Sequence, residues 1–269
     1  MILLLAGCVS VGPAPDSGLA ARWPVPLLVS PAVEGVQWVD ARSAEDYAAG
    51  HIPGAANVSP ADFPPLDADG AWPAAQLAVI PPTFANRGVV ADLPIVVYGD
   101  PLTAAADDGA IYWVLRYLGR TDVQILDAGI ASWVAAGGML DTATPAPGDF
   151  VGTPDPAVFA TTPEVEQAVA AGTPAIVDVR TESEFDAGHI PGAVHLTWDD
   201  VLADGGVYRS PEAVAEVLAP LPDGPLIVSC TRGIRAGHAF FTLELMGRTG
   251  LSDYVGSWEA WSAAGLPVE

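Results

Sequence analysis

Lysine is absent from this 269-residue chain, and its ten basic residues are all arginine. Against 33 acidic residues they leave a formal net charge of -23. Proteins that bind nucleic acids independently of sequence neutralise phosphates with clustered basic residues. The charge therefore excludes that class of protein and predicts an acidic, well-solvated surface.

Long apolar runs are also missing. The terminal run, residues 1–6, is far shorter than a membrane-spanning helix requires, so no transmembrane helix is predicted. This run leads into Leu5-Ala6-Gly7-Cys8, which resembles the lipobox of bacterial lipoproteins, in which the cysteine is acylated. The segment has no basic n-region and is short for a signal. Two interpretations stay open: a truncated signal, which we favour, or an accidental match.

The first interpretation makes residues 1–22 a lipoprotein signal and flexible tether, rich in glycine, proline and serine after Cys8. The protein would then lie in the bacterial cell envelope, in contact with the membrane only through a lipid on Cys8. Under the second interpretation, the protein is cytoplasmic.

Cysteine and histidine are scarce, with two and four residues. They form no cluster with metal-ligand spacing. The chain also lacks a Gly-x-Gly-x-x-Gly or Walker loop. We therefore expect no metal and no cofactor. If Cys8 is acylated, Cys230 is an unpaired thiol and a candidate reactive group, although an inert buried cysteine is the alternative.

An internal repeat sets the domain organisation. Residues 40–55 match residues 178–193 at a constant offset of 138, and residues 129–133 match residues 257–261. A period this long indicates duplicated domains rather than solenoid repeats. We predict one domain over residues 23–140 and a second over 157–269. A proline- and glycine-rich stretch, residues 141–156, suits an exposed linker.

Short β-branched runs alternate with helical patterns within each copy. In the second copy, strands are predicted near residues 175–179 and 226–229, and helices near residues 211–219, 234–246 and 258–264. Continuous apolar strands separated by amphipathic helices indicate a mostly parallel sheet with helices on both faces. The predicted fold class is α/β.

The predicted strand at residues 226–229 runs directly into Cys230, and a helix follows at once. A loop between a strand and a helix N-terminus directs backbone N–H groups at one point and binds anions. The same field, together with Arg232 and Arg235, predicts a lowered pKa for the Cys230 thiol and a nucleophile near neutral pH. Gly233 permits a backbone conformation that a residue with a Cβ resists.

Three motifs resemble the rhodanese family: Cys-x-x-Gly-x-Arg at residues 230–235, Gly-His-Ile-Pro-Gly-Ala at 188–193, and Tyr-Val-Gly-Ser-Trp at 254–258. The similarity covers nearly the whole chain past residue 23. It implies two rhodanese-like domains, of which the second is catalytic. In the first copy, the strand at residues 95–98 is followed by glycine and aspartate instead of cysteine. The resemblance implies that this domain packs against the second and walls its pocket.

The resemblance also implies a reaction. The Cys230 thiolate attacks the outer sulfur of a small anionic donor such as thiosulfate, sulfite leaves, and the persulfide passes sulfur to cyanide or another thiophilic acceptor. Arg180 and Arg232 are expected to bind the donor, Arg235 to hold the loop and stabilise the thiolate or persulfide, and Trp258 to line the pocket. The substrate-binding and loop residues are Arg180, Thr231, Arg232, Gly233, Ile234 and Arg235.

The loop also indicates the donor. Family members that use 3-mercaptopyruvate usually have a small uncharged loop, whereas thiosulfate users tend to have a basic residue there. Cys-Thr-Arg-Gly carries its arginine one position later than the common thiosulfate pattern. Thiosulfate is therefore favoured over 3-mercaptopyruvate.

The remaining histidines and aspartates receive structural interpretations. His51 and His189 recur in both copies, including the copy without a cysteine, so we expect them to anchor turns rather than to catalyse. His238 is expected to be a packing residue. Asp40 and Asp178 end buried strands and are expected to bond to nearby loop backbone.

Two other functions are alternatives to sulfur transfer with turnover. Cysteine-dependent phosphatases and arsenate reductases place arginine six positions after the cysteine, where this chain has Ala236, so that class is disfavoured. A sulfur-carrier or binding module, which holds sulfur for one partner without turnover, stays open as the alternative.

Overall fold

The computed structural model describes residues 19, 22–72, 77–100 and 106–269. The lipobox prediction at Cys8 and most of the predicted tether lie outside the described residues. Within the described part of the chain, no helix is long and apolar enough to cross a membrane.

The first copy is built on a five-stranded parallel sheet with strand order β1-β5-β4-β2-β3. Its strands are β1 (Leu28–Val29), β2 (Gln37–Asp40), β3 (Ala56–Asn57), β4 (Ile95–Tyr98) and β5 (Val123–Leu126). Its described helices are α1 (Ala44–Ala49), α2 (Ile80–Asn86), α3 (Asp107–Tyr117) and α4 (Gly129–Ala135), with a 3-10 turn at Pro60–Asp62.

The second copy is built on a four-stranded parallel sheet with strand order β7-β6-β8-β9. Its strands are β6 (Ala175–Asp178), β7 (Val194–His195), β8 (Leu226–Ser229) and β9 (Leu251–Asp253). Its helices are α5 (Thr162–Ala171), α6 (Glu182–Asp186), α7 (Pro211–Leu218), α8 (Ile234–Leu245) and α9 (Ser257–Ala263), with 3-10 turns at Pro156–Val158 and Asp204–Gly206.

The central strands of both copies are buried on both faces, which explains their continuous apolar sequences. All four residues of β4 and all four of β8 are buried. In β4, Ile95 and Val97 face one hydrophobic core, and Val96 and Tyr98 face another. The predicted α/β class with mostly parallel sheets is confirmed.

The helices begin where local sequence favours them. Ahead of α7, the Ser210 side chain accepts a hydrogen bond from the Ala213 N–H at 3.3 Å, and Pro211 occupies the first helical turn. A capping side chain of this kind stabilises a helix start by about 1 kcal/mol, and proline there loses no helical hydrogen bond.

The segment at residues 141–156 is largely exposed and follows the first copy closely. Its Phe150 is buried at 3% exposure and packs on Phe84, with ring centroids 5.0 Å apart. The Phe150 N–H donates to the Val89 carbonyl at 3.1 Å, and the Asp155 N–H donates to the Tyr117 carbonyl at 2.6 Å. The linker is therefore attached to the first domain.

Helices α3 and α8 pack against each other and join the two copies. The contact is close because both helices carry a glycine at the crossing. A Cβ on Gly109 would lie 2.3 Å from the His238 Cα, and one on Gly237 would lie 2.7 Å from the Ala110 Cα. Arg116 of α3 also forms an ion pair with Glu244 of α8 at 2.9 Å. The two domains thus share a packed interface beside the Cys230 loop.

Candidate active site

The loop after β8 wraps around the sulfur of Cys230. The Gly233 N–H donates to Cys230 Sγ at 3.1 Å, and the Cys230 N–H donates to the Ser257 hydroxyl at 3.0 Å. Gly233 has a φ of +82°, and a Cβ there would lie 2.9 Å from Val255. The prediction that this position needs glycine is confirmed.

A carboxylate that the sequence analysis missed holds the loop from outside. Glu184 accepts hydrogen bonds from both terminal nitrogens of Arg235, each at 2.8 Å, and from the Thr231 hydroxyl at 2.9 Å. It also accepts from the Thr181 N–H at 3.0 Å, which caps α6. Hydrogen bonds from Arg235 hold the pKa of Glu184 well below its usual range. Arg235 therefore holds the loop through Glu184, and its charge is shared with that carboxylate.

A signal for Glu184 was present in the sequence. It lies in the repeated motif, and the first copy has another acid, Asp46, at the same position. In a chain with so many acidic residues, Arg235 is expected to pair with a carboxylate. Only the fold shows that this carboxylate is Glu184.

Arg180 requires a correction to its predicted role. Its guanidinium donates to both carboxylate oxygens of Asp178 at 2.7–3.0 Å and to the Gly188 carbonyl at 2.8 Å. Its side chain is 3% exposed, and it lies 4.6 Å from the centre of the Trp258 ring. These contacts engage Nε and Nη2 within the fold, so they do not support donor binding by Arg180.

The first copy repeats this arrangement without a cysteine. Arg42 bonds Asp40 at 2.6 Å and the Gly50 carbonyl at 2.8 Å. The Asp40 and Asp178 carboxylates also accept from the backbone N–H two residues later, at 2.9 and 3.0 Å. The expectation that Asp40 and Asp178 bond to nearby loop backbone is therefore confirmed. We infer that the aspartate–arginine pair supports the strand end in both domains.

Arg232 is placed differently. Its side chain is 70% exposed and lies 3.4 Å from the carboxylate of Glu259, which is itself 58% exposed. Exposed ion pairs of this kind contribute little and exchange readily with other partners. Arg232 is therefore a charged loop side chain that remains available to an incoming anion.

The predicted lowering of the Cys230 pKa is wrong, because burial raises the pKa of this thiol. The residue is 1% exposed, and the Asp253 carboxyl adds to the shift, while the N–H groups of Ala236 and Arg232 and the Arg235 charge oppose it. Asp253 is itself buried, which raises its pKa, and among the described residues neither of its oxygens has a hydrogen-bond partner. Burial therefore favours the thiol over the thiolate.

A cleft of about 650 Å³ opens beside the loop, between the two copies. The second domain contributes residues of the Cys230 loop and of the segment around α9, and the first domain contributes α3 and the segment from Pro60 to Trp72. Its lining includes Phe63, Leu66, Trp72, Trp113, Arg232, Gly233, Ile234 and Val255. The expectation that the first domain walls the pocket agrees with this geometry. Trp258 lies outside the cleft, with its ring against Arg180.

The histidines have structural partners. His51 Nδ1 lies 2.8 Å from the Tyr47 carbonyl, and His189 Nδ1 lies 3.0 Å from the Phe185 carbonyl. His238 is buried at the domain interface, where its Nε2 lies 2.9 Å from the Tyr208 hydroxyl. Burial lowers the pKa of His238 to about 4. Among the described residues, no group of three or more His, Cys, Asp and Glu side chains could hold a metal ion.

Together these features define a class: a doubled α/β protein with one thiol held in a loop between a parallel strand and a helix. The Rhodanese-like domain family matches residues 30–136 and 161–264. The chain belongs to the rhodanese family and carries two rhodanese-like domains.

The relatives agree on sulfur transfer and differ in the donor named. A thiosulfate sulfurtransferase from Pseudomonas aeruginosa is 32% identical over 273 residues, which cover 94% of this chain and 95% of the relative. A 3-mercaptopyruvate sulfurtransferase from Escherichia coli K12 is 30% identical over 250 residues, which cover 86% of this chain and 87% of the relative. The chain is therefore a member of the rhodanese-type sulfurtransferases.

The fold has a counterpart among solved structures. The crystal structure of the 3-mercaptopyruvate sulfurtransferase SseA from Escherichia coli matches with a TM-score of 0.71 and 24% identity. The match covers 83% of this chain and 93% of that chain. It confirms the rhodanese fold.

Proposed function

We propose that this protein transfers the sulfane sulfur of thiosulfate to cyanide or a thiol acceptor through a persulfide on Cys230. The observation that carries this proposal is the contact between the Gly233 N–H and Cys230 Sγ, at the point where a buried strand meets a helix N-terminus. Backbone donors at such a junction stabilise negative charge on sulfur as it develops.

The first step forms one bond and breaks another. The Cys230 sulfur bonds to the outer sulfur of thiosulfate, and the bond between the two thiosulfate sulfurs breaks with its electron pair on the departing sulfite. Because burial favours the thiol form, the step includes loss of the Cys230 proton, which leaves with sulfite. In the second step cyanide bonds to the outer sulfur, the persulfide bond breaks with its electron pair on Sγ, and thiocyanate leaves.

The exposed Arg232 supports thiosulfate as donor. Thiosulfate carries two negative charges, and the rest of the chain is strongly acidic, so an available guanidinium beside the loop offsets repulsion of the donor. 3-Mercaptopyruvate is the weaker candidate because its single carboxylate gains less from that charge.

The donor assignment is tested by steady-state kinetics with both donors. We expect the full-length protein to have the higher kcat/KM with thiosulfate. Arg232→Gln should raise the KM for thiosulfate about tenfold while changing kcat little, because the charge acts in binding. Arg209→Gln, which also removes one exposed charge of the second domain, is the control and should leave the KM unchanged. A higher kcat/KM with 3-mercaptopyruvate would contradict the assignment.

We also propose that Cys8 carries a lipid that holds the protein in the bacterial cell envelope. This proposal is supported by the lipobox motif alone. Mass spectrometry of protein extracted from membranes tests it: a diacylglyceryl group on Cys8 is expected, and unmodified Cys8 in soluble protein would contradict it.

A further inference from the structure

In the described part of the chain, the two domains each build a cleft from equivalent elements, and only one of these clefts is open. The open cleft, of about 650 Å³, borders the Cys230 loop, the segment after β9 and the segment at 60–72 of the other copy. Its counterpart borders the start of α3, the segment after β5 and residues 198–208 of the other copy. The counterpart has a volume of about 20 Å³, enough for one water molecule.

One pair of equivalent residues distinguishes the two clefts. The turns at residues 67–71 and 203–207 have the same backbone hydrogen bonds, so Trp72 of the open cleft corresponds to Tyr208 of the closed one and both clefts have a ring there. At the offset of 128 that relates α3 to α8, Ala110 corresponds to His238. Tyr208 and His238 are 9% and 4% exposed, and their hydroxyl and Nε2 lie 2.9 Å apart. The His238 ring therefore fills space that Ala110 leaves empty in the open cleft.

Packing two such domains together therefore does not by itself produce an open cleft, because the equivalent cleft on the other side is nearly closed. Its volume falls within the usual range for small-molecule sites. Its interior is lined by the rings of Phe63, Trp72 and Trp113 and by Leu66. Its charged lining groups are Asp67, Arg232 and Glu259, the last two paired with each other. Such a surface favours an apolar, largely uncharged molecule.

The reactive sulfur is next to this cleft. Gly233 lines the cleft, and its N–H is bonded to Cys230 Sγ. A molecule that fills the cleft therefore lies beside the loop that holds the persulfide. Thiosulfate and cyanide are too small and too polar to contact the apolar part of the cleft, away from Arg232.

We propose that the open cleft binds the sulfur acceptor and that this acceptor is a low-molecular-weight thiol with an aromatic or branched apolar group. The inference rests on the proposed function, because it names the acceptor for the Cys230 persulfide. In the transfer, the sulfur of the acceptor thiol bonds to the outer sulfur of the Cys230 persulfide anion. The bond between that outer sulfur and Sγ breaks with its electron pair on Sγ, which takes the proton of the acceptor thiol, and the acceptor leaves as its own persulfide anion.

The test separates two steps: formation of the persulfide on Cys230, and transfer of its outer sulfur to an acceptor. The full-length protein is loaded with thiosulfate, and mass spectrometry checks for one added sulfur atom. Discharge is then timed with cyanide, with 2-mercaptoethanol and with phenylmethanethiol, two thiols of similar acidity. If thiosulfate fails to load Cys230, the proposed function is wrong, but protein loaded with polysulfide still reports on the acceptor.

We expect phenylmethanethiol to discharge the persulfide at least about tenfold faster than 2-mercaptoethanol, since a buried phenyl group contributes discrimination of about 10- to 100-fold. Ala110→His, which copies the closed cleft, should abolish most of this preference. Leu66→Ala should reduce it about threefold or more by removing an apolar contact. Discharge by cyanide is measured for each variant, and the preference is taken as the ratio of the two thiol rates within that variant.

Leu202→Ala is the matched control, because Leu202 is a half-buried leucine that lines the closed cleft. It should leave the preference unchanged. Equal discharge by the two thiols in the wild type would overturn the proposal. A preference retained in both Ala110→His and Leu66→Ala would also overturn it.

Discussion

Replacing Glu184 with glutamine removes the negative charge that holds the Cys230 loop from outside. In the wild type this carboxylate accepts two hydrogen bonds from Arg235 and one from Thr231. Glutamine keeps one acceptor oxygen and turns an NH₂ group toward the remaining donors. Arg235, whose side chain is 16% exposed, then lies partly buried without its counter-charge. We expect the loop to lose its fixed geometry.

The expected loss of stability in Glu184→Gln follows from the contacts of this carboxylate. Hydrogen bonds to charged groups contribute about 1.5–3 kcal/mol each. The Glu184 side chain is 35% exposed, so solvent screening reduces that contribution. A loss of about 1–2 kcal/mol in the free energy of unfolding is expected. Because the loop positions the reacting sulfur, kcat/KM for thiosulfate should fall by about tenfold or more.

The stability that Glu184 contributes depends on pH in a defined direction. The pKa of Glu184 is lowered in the folded protein, mainly by Arg235. The stability it contributes is therefore present above the ordinary glutamate pKa of about 4.3 and is lost as pH falls through the lowered value. The difference in unfolding free energy between wild type and Glu184→Gln should be larger at pH 7 than at pH 3.

The assays are urea denaturation and thiocyanate formation. Glu182→Gln is the matched control, since Glu182 lies on the same helix and is exposed. It should behave like the wild type in both assays. Wild-type stability and activity in Glu184→Gln would refute the reasoning that this carboxylate fixes the loop.

Three further predictions test the other contacts. The rate of Cys230 alkylation by iodoacetamide should keep rising above the usual thiol pKa of about 8.5, because burial raises the pKa of this thiol; a plateau below pH 8 would contradict this. Gly233→Ala should lower activity and cost about 1–3 kcal/mol in urea denaturation, since φ is +82° and a Cβ would lie 2.9 Å from a neighbour. Gly192→Ala, with φ +75° and nothing within 4 Å, should cost less and keep full activity; equal effects of the two would count against a role for that contact. Arg180→Gln should lose about 3 kcal/mol by leaving a buried carboxylate unpaired, with little change in the KM for thiosulfate. Arg42→Gln, the equivalent change in the first domain, should lose a similar amount, whereas a raised KM in Arg180→Gln alone would restore the donor-binding role.

The sequence predicted the fold well because its signals are local and repeated. The strand at Leu226–Ser229 and the helix that begins at Ile234 follow from a short apolar run and an amphipathic pattern. The 138-residue offset between the repeated motifs indicated the duplication without any structure. The need for glycine at position 233 could also be predicted, since it depends on the conformation of one tight loop.

The ion pair of Arg180 could have been predicted from the repeat in the sequence. Asp-x-Arg occurs in both copies, at Asp40 and Arg42 and again at Asp178 and Arg180. Because the Asp-x-Arg motif recurs in the copy without a cysteine, it indicates a structural role. His51, which recurs as His189, has a structural role for the same reason. A structural role for Arg180 predicts the ion pair seen in the fold.

Other properties of the site depend on contacts between distant segments. The parallel register pairs Val228 with Asp253, which brings a buried carboxyl near the Cys230 thiol. The width of the open cleft depends on the packing of Gly70 and Ala110 of one domain against the other. Local sequence patterns do not show which distant residues come into contact, so neither the direction of the Cys230 pKa shift nor the width of the cleft could be predicted.

The most direct test of the account asks whether sulfur is carried on Cys230. The full-length protein would be incubated with thiosulfate, digested and analysed by mass spectrometry before and after addition of cyanide, in parallel with Cys230→Ser. The account predicts one added sulfur atom on the Cys230 peptide, its loss to cyanide with formation of thiocyanate, and neither event in the variant. Turnover in Cys230→Ser, or thiocyanate formation without sulfur on Cys230, would contradict it.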